Sequence, residues 1–155
     1  MVTGLFGTLL EELAKSLKIN HLEPDQNNSC LINLKNGQKI QVELDRSGNY
    51  LVIGADLGTV SPGKYRENLF KEALKANGMP YPLNGILAYS KRTDHLVLFT
   101  KISVKDLRGE QIAIVIPPFV EKALIWSEAI KRGEMPSLSQ VKTSGASSGM
   151  FGLRP

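Results

Sequence analysis

Two runs of alternating apolar and polar residues meet at Asn36-Gly37, with Cys30, Ile32 and Leu34 before it and Ile40, Val42 and Leu44 after it. Alternation at period two puts one set of side chains on one face of a strand. Asn-Gly between two such runs supplies the positive φ angles of a two-residue type I′ turn, so the runs are predicted to fold back as antiparallel neighbours. Arg46-Ser47-Gly48-Asn49 is a second turn signal, and an apolar stretch from Tyr50 to Leu57 comes after it. Three strands joined by short turns make a meander. Its inner face would carry Cys30, Ile32, Leu34, Ile40, Val42, Leu44, Leu51, Ile53 and Ala55, with Lys39, Gln41 and Glu43 opposite.

Helical patterns flank this meander. Phe6, Leu9, Leu10, Leu13 and Leu17 recur at i, i+3, i+4 and i+7 and predict an amphipathic helix over 4–18, with Thr3 as its cap. Asp25 to Ser29 is a cluster of short polar turn residues. Ser61-Pro62 reads as a cap and first position of a second helix, whose stripe is Leu69, Phe70, Ala73 and Leu74 and whose stop is Asn77-Gly78. Residues 85–90 and 95–102 read as a second hairpin closed over 91–94. Gln111 to Ile116 is β-branched enough for a strand, whereas Val120, Ala123, Leu124 and Trp126 are helically spaced up to Gly133. Pro117-Pro118 predicts a kink or break there, because proline lacks a donor and clashes with the preceding turn. The predicted fold is α+β, in the order α-β-β-β-α-β-β-α, with a five-stranded antiparallel sheet. Residues 1–133 form the domain, and 134–155, rich in Ser and Gly, read as a flexible tail.

Composition narrows the chemistry. A chain of 155 residues with 42% apolar content is long enough for one domain with its own core. Cys30 is the only cysteine, which excludes an intramolecular disulfide framework and a cysteine-based metal cluster. Neither a secretory signal nor an apolar run of the ~20 residues that span a bilayer is present, so a reducing, cytoplasmic setting is expected. The net charge is +4, yet the basic residues are spread along the chain and the densest pair is Lys91-Arg92 in a turn. Nucleic-acid recognition wants Lys and Arg concentrated on one face, so it ranks as an alternative rather than the first reading.

Catalytic patterns are missing from the sequence: no phosphate loop, no serine nucleophile elbow and no dinucleotide fingerprint. His21 and His95 have no companion ligand at metal spacing and read as solvated turn residues. Cys30 falls on the apolar face and reads as a small buried hydrophobe, and Trp126 as a core or interface anchor. No catalytic residue and no metal site are expected. Apolar surface left for another chain is, because an amphipathic helix and a sheet edge offer places to add a strand or bury side chains.

Four stretches in order carry a family resemblance. They are Leu22-Glu23-Pro24-Asp25-Gln26-Asn27-Asn28-Ser29-Cys30-Leu31-Ile32, then Glu72-Ala73-Leu74-Lys75-Ala76-Asn77, then Gly85-Ile86-Leu87-Ala88-Tyr89 with His95-Leu96-Val97-Leu98-Phe99, and last Phe119-Val120-Glu121-Lys122-Ala123-Leu124-Ile125-Trp126. Together, over residues 5–131, the chain resembles the class I (CesT/SycE-like) chaperones of bacterial type III secretion. The resemblance implies an ATP-independent protein, with no cofactor and no membrane, that holds the N-terminal region of a secreted effector extended. It implies a dimer through the second helix and the strand after it, here Leu69, Phe70, Leu74, Ile86 and Ala88, and an effector groove on Phe6, Leu9, Leu10, Leu13 and Leu31. Many such chaperones are acidic, whereas this chain is +4. Either a homodimer or a heterodimer with an acidic chaperone relative is therefore expected, since opposite charge favours the mixed pair.

Overall fold

A computed structural model describes residues 4–80 and 82–136. Thr3 and residues 137–155, which hold most of the predicted tail, lie outside the described residues. The elements are α1 (Gly4–Leu17), β1 (Ser29–Asn33), β2 (Lys39–Leu44), β3 (Tyr50–Thr59), α2 (Lys64–Asn77), β4 (Ile86–Ser90), β5 (His95–Ser103) and α3 (Gly109–Arg132). All five strands pair antiparallel in the order β1-β2-β3-β5-β4, so α2 carries the chain across β5 to the far edge.

The inner face of the sheet is as the alternation predicts. Cys30, Ile32, Ile40, Val42, Leu51, Ile53 and Ala55 are buried, while Leu34 and Leu44 sit at strand ends and pack only partly against the core. Leu87, Leu96 and Leu98 continue this face across β5 and β4. Phe6, Leu9, Leu10 and Leu13 of α1 and Ile112, Ile116, Phe119, Ala123 and Trp126 of α3 join the same core. α3 lies against β3 and α1 lies against α3, while α2 packs on β4.

Three local expectations are corrected. The first hairpin is not type I′: Gly37 N–H donates to the Leu34 carbonyl and Leu34 N–H to the Gln38 carbonyl, and only Gly37, not Asn36, has positive φ. This is a three-residue loop with glycine in the left-handed position, the other common way to match strand twist. α2 starts at Lys64 rather than at Ser61-Pro62, because Gly63, at φ 141°, provides the entry. The last segment is one helix, neither a strand nor a broken pair, with Pro117 and Pro118 inside it. The amides lost there would have bonded the carbonyls of Ala113 and Ile114; Ile114 and Pro117 are exposed, so water can replace those partners.

The junction of α1 with α3 is tight. A Cβ on Gly109 would lie 2.5 Å from the Leu13 nitrogen and 2.7 Å from the Glu12 carbonyl carbon, so only glycine lets the helices meet. Glu12 uses the contact: one oxygen accepts Gly109 N–H at 2.8 Å, and the other accepts Arg108 Nε at 3.2 Å. A carboxylate at a helix N-terminus also meets the positive end of the helix dipole. Gly109→Ala is expected to cost about 2 kcal/mol or more in urea unfolding, since the clash is with backbone. Gly109 N–H, then Arg108, holds the Glu12 carboxyl below its usual range. Its contribution is thus complete above the ordinary carboxylate value, about 4.3, and is lost as pH falls through the lower folded value. Glu12→Gln is expected to unfold at lower urea than the parent at pH 7, with the difference shrinking below about pH 4.

Candidate functional site

Sheet edges are where another chain can add, and the two edges here differ. At β4 the outward backbone groups of Leu87 are taken: Asn77 Nδ2 donates to the Leu87 carbonyl and Leu87 N–H donates to Asn77 Oδ1, both at 2.9 Å. The last residue of α2 thus imitates a neighbouring strand and closes that edge at Leu87, beside α2. At β1, Asp25 does the same for one residue only. Its N–H donates to the Ser29 carbonyl at 2.7 Å, and its side chain accepts Ser29 N–H at 3.0 Å.

Along an antiparallel strand the outward groups recur every second residue. Since Ser29 points outward, so do Leu31 and Asn33, and β1 pairs only with β2 among the described residues. Two N–H and two C=O groups therefore line an open edge beside the Leu31 side chain, which is 54% exposed. Leu31 also begins a row across the outer face of the sheet, through Gln41, Gly54 and Phe99 to Ile86.

The remaining groove residues are placed differently. Phe6, Leu9, Leu10 and Leu13 are at most 4% exposed and hold α1 to the core, so they line no open surface. Helical periodicity located a buried stripe, and the stripe is filled by the protein itself. Of the groove set, Leu31 alone is accessible.

The dimerisation set divides too. Leu69 is fully buried, Phe70, Ile86 and Ala88 are half-buried, and Leu74 is 72% exposed. Met79, which the pattern did not single out, is exposed just beyond α2. Behind this face Arg66 lies over the Tyr89 ring at 4.6 Å and the Phe70 ring at 5.6 Å. Arg66 also donates to the Tyr89 hydroxyl, which donates to Asp94. The bond to Asp94 keeps the Tyr89 proton on, raising its pKa. Lys122 donates to the carbonyls of Leu83 and Gly85 at 2.8 and 2.9 Å, tying α3 to the strand entry; burial lowers its pKa.

Chemistry is sparse. Burial, then the Asp25 charge, raises the Cys30 thiol pKa, so it is a poor nucleophile. His95 is not a solvated turn residue: Nδ1 lies 2.6 Å from Asp56 and Nε2 lies 2.9 Å from Thr59 Oγ1, tying β5 to the bulged end of β3. Asp56 is 39 positions away, beyond the reach of spacing rules. His21 meets Glu23 at 2.8 Å in the open. Trp126 is core, as expected. No group of three or more ligating side chains is found among the described residues.

Residues 8–127 match the model of the Tir chaperone protein (CesT) family. The chain belongs to the CesT family of Tir chaperone proteins. No curated protein sequence matches it. Its fold is similar to a chain in the crystal structure of the Yersinia pestis type III secretion chaperone SycH with a stable fragment of YscM2, at 22% identity over 79% of this chain and 99% of that one, TM-score 0.63. It is also similar to a chain of the HopA1-SchA chaperone-effector complex, at 18% identity over 80% and 94%, TM-score 0.66. A third match, in the heterodimeric ExoU-SpcU complex of the Pseudomonas aeruginosa type III secretion system, has 14% identity over 79% and 98%, TM-score 0.62. This CesT-family chain is a type III secretion chaperone; the family is one of chaperones rather than enzymes, and nothing supports the nucleic-acid alternative. Its described helices include none long and apolar enough to cross a membrane.

Asn77→Ala in this chaperone removes two hydrogen bonds worth about 1 kcal/mol each, so a loss of about 2 kcal/mol is expected in urea unfolding. Faster amide exchange at Leu87 should accompany it.

Proposed function

We propose that this chaperone binds the N-terminal region of a secreted effector as an extended segment, without ATP and without enzymatic activity, in the bacterial cytoplasm. The open stretch of β1 carries the reading. An extended segment adds its backbone to Leu31 and Asn33 and buries an apolar side chain against Leu31, the mode by which peptides extend sheets. Four main-chain hydrogen bonds at about 1 kcal/mol each are modest, so affinity needs further contact along the outer face. A segment held this way has no core of its own, which suits passage through a narrow channel.

Two protomers would meet through Leu74, Met79 and Phe70 of the α2 side and Ile86 and Ala88 of β4. Because Asn77 takes the Leu87 position of β4, this contact rests on side chains more than on a continuous sheet. The chain's +4 charge favours an acidic relative as the second subunit, with the homodimer as the other arrangement.

The test is affinity purification from the source bacterium with mass spectrometry, followed by mapping of the bound effector region by limited proteolysis. A type III effector held through its N-terminal region is expected, and Leu31→Asp should reduce its recovery at least tenfold. Undiminished recovery with Leu31→Asp would remove β1 from the reading. Leu74→Asp is expected to shift the chaperone from dimer to monomer in light scattering.

A further inference from the structure

An open strand edge beside an exposed leucine invites unwanted pairing, and folded proteins normally cover such edges. Between Leu31 and the end of α3 the structure places a path. Leu124, Ser127, Glu128 and Lys131 of α3 and the first hairpin, from Asn36 to Lys39, line one open cleft of about 370 Å³. From Asn36 back to Leu31 the strand covers five residues, roughly 16 Å. The exit from α3 is pinned, because the Tyr65 hydroxyl donates to the carbonyls of Ala129 at 3.2 Å and Glu134 at 2.9 Å. The chain then continues from Pro136.

The sequence beyond Pro136 is suited to return. Residues 137–149 are 13 residues with five Ser, two Gly and no acidic residue, and Met150-Phe151-Gly152-Leu153 is the apolar group beyond them. A Ser/Gly-rich stretch of that length spans about 20 Å root-mean-square, more than the roughly 16 Å from Asn36 at the cleft to Leu31. Phe151 and Leu153 are two apart, the spacing at which side chains share one strand face and the spacing of Leu31 and Asn33.

We propose that Met150–Leu153 adds as a short strand to β1 of its own chain, covering Leu31 and Asn33 until a client displaces it. The proposal rests on β1 being the client surface. Tethering makes the contact effective even if it is weak. At an effective concentration of about 1 mM, a segment with a dissociation constant of about 0.1 mM occupies its site roughly nine-tenths of the time. Such occupancy blunts the edge yet yields to a client that makes more contacts.

Amide exchange, read by NMR on the full chain, tests it against a variant carrying Phe151→Ser and Leu153→Ser. The Leu31 and Asn33 amides are expected to exchange about tenfold faster in the variant, with Ile53 in β3 unchanged. Equal exchange in the two proteins overturns the proposal. Protection that falls on dilution overturns it as well, because the segment would then be docking on another copy. Equal exchange alongside intact effector capture defeats this contact and leaves the client reading standing. Faster exchange in the variant with no effector captured supports the contact and defeats the client reading.

Discussion

Everything on the inner side of this sheet depends on how closely α3 can approach α1. Gly109 sits against the backbone of Glu12 and Leu13, and Glu12 binds the start of α3 through Gly109 and Arg108. That contact sets where α3 begins, and so how its Phe119, Ala123 and Trp126 meet the central strand β3. The core is close-packed, so a shift at the junction would be felt along the whole 24-residue helix. The two prolines are tolerated in this setting because α3 is held by packing, not by its own hydrogen bonds alone.

The same economy governs the sheet edges. Side chains that imitate strands, Asn77 on β4 and Asp25 on β1, satisfy outward backbone groups without another strand. They act over one residue each. On β4 the closed position is Leu87, the second of five residues, which leaves Tyr89 as the one outward position beyond it and steers contact there toward the side chains of α2 and the outer face. On β1 the closed position is the first, and the two outward residues beyond it stay available. An interaction surface arises here from where a two-point clamp falls, and it uses no unusual residue.

Much of this was legible in the chain. The meander, its inner face, the second hairpin and the order of elements followed from alternation, turn residues and helical spacing, because burial of one face imposes those periods wherever an element sits. The family resemblance likewise rested on local stretches. The finer errors came from competition the local signal does not contain. Gly37 could serve a two- or three-residue loop, and Gly63 displaced Ser61-Pro62 as the start of α2. Periodicity marked Phe6, Leu9, Leu10 and Leu13 as an apolar stripe, but a stripe has the same pattern whether the protein or a partner covers it.

By itself, then, the sequence determined the order of the elements up to the last segment, which face of each is apolar, and that no catalytic pattern runs along the chain, for these depend on neighbours within a few positions. That Gln111 to Ile116 and the two prolines belong to one continuous helix was decided by packing. Tertiary structure decided which apolar faces remain open. Leu31 and Leu74 are exposed while Leu69 and the α1 stripe are filled, and that outcome depends on packing between distant elements. It also decided the pairing of His95 with Asp56 and the clamp of Asn77 on Leu87. Hydrogen bonds across strands are set by register and crossover, and these exist only once the sheet has closed around its core.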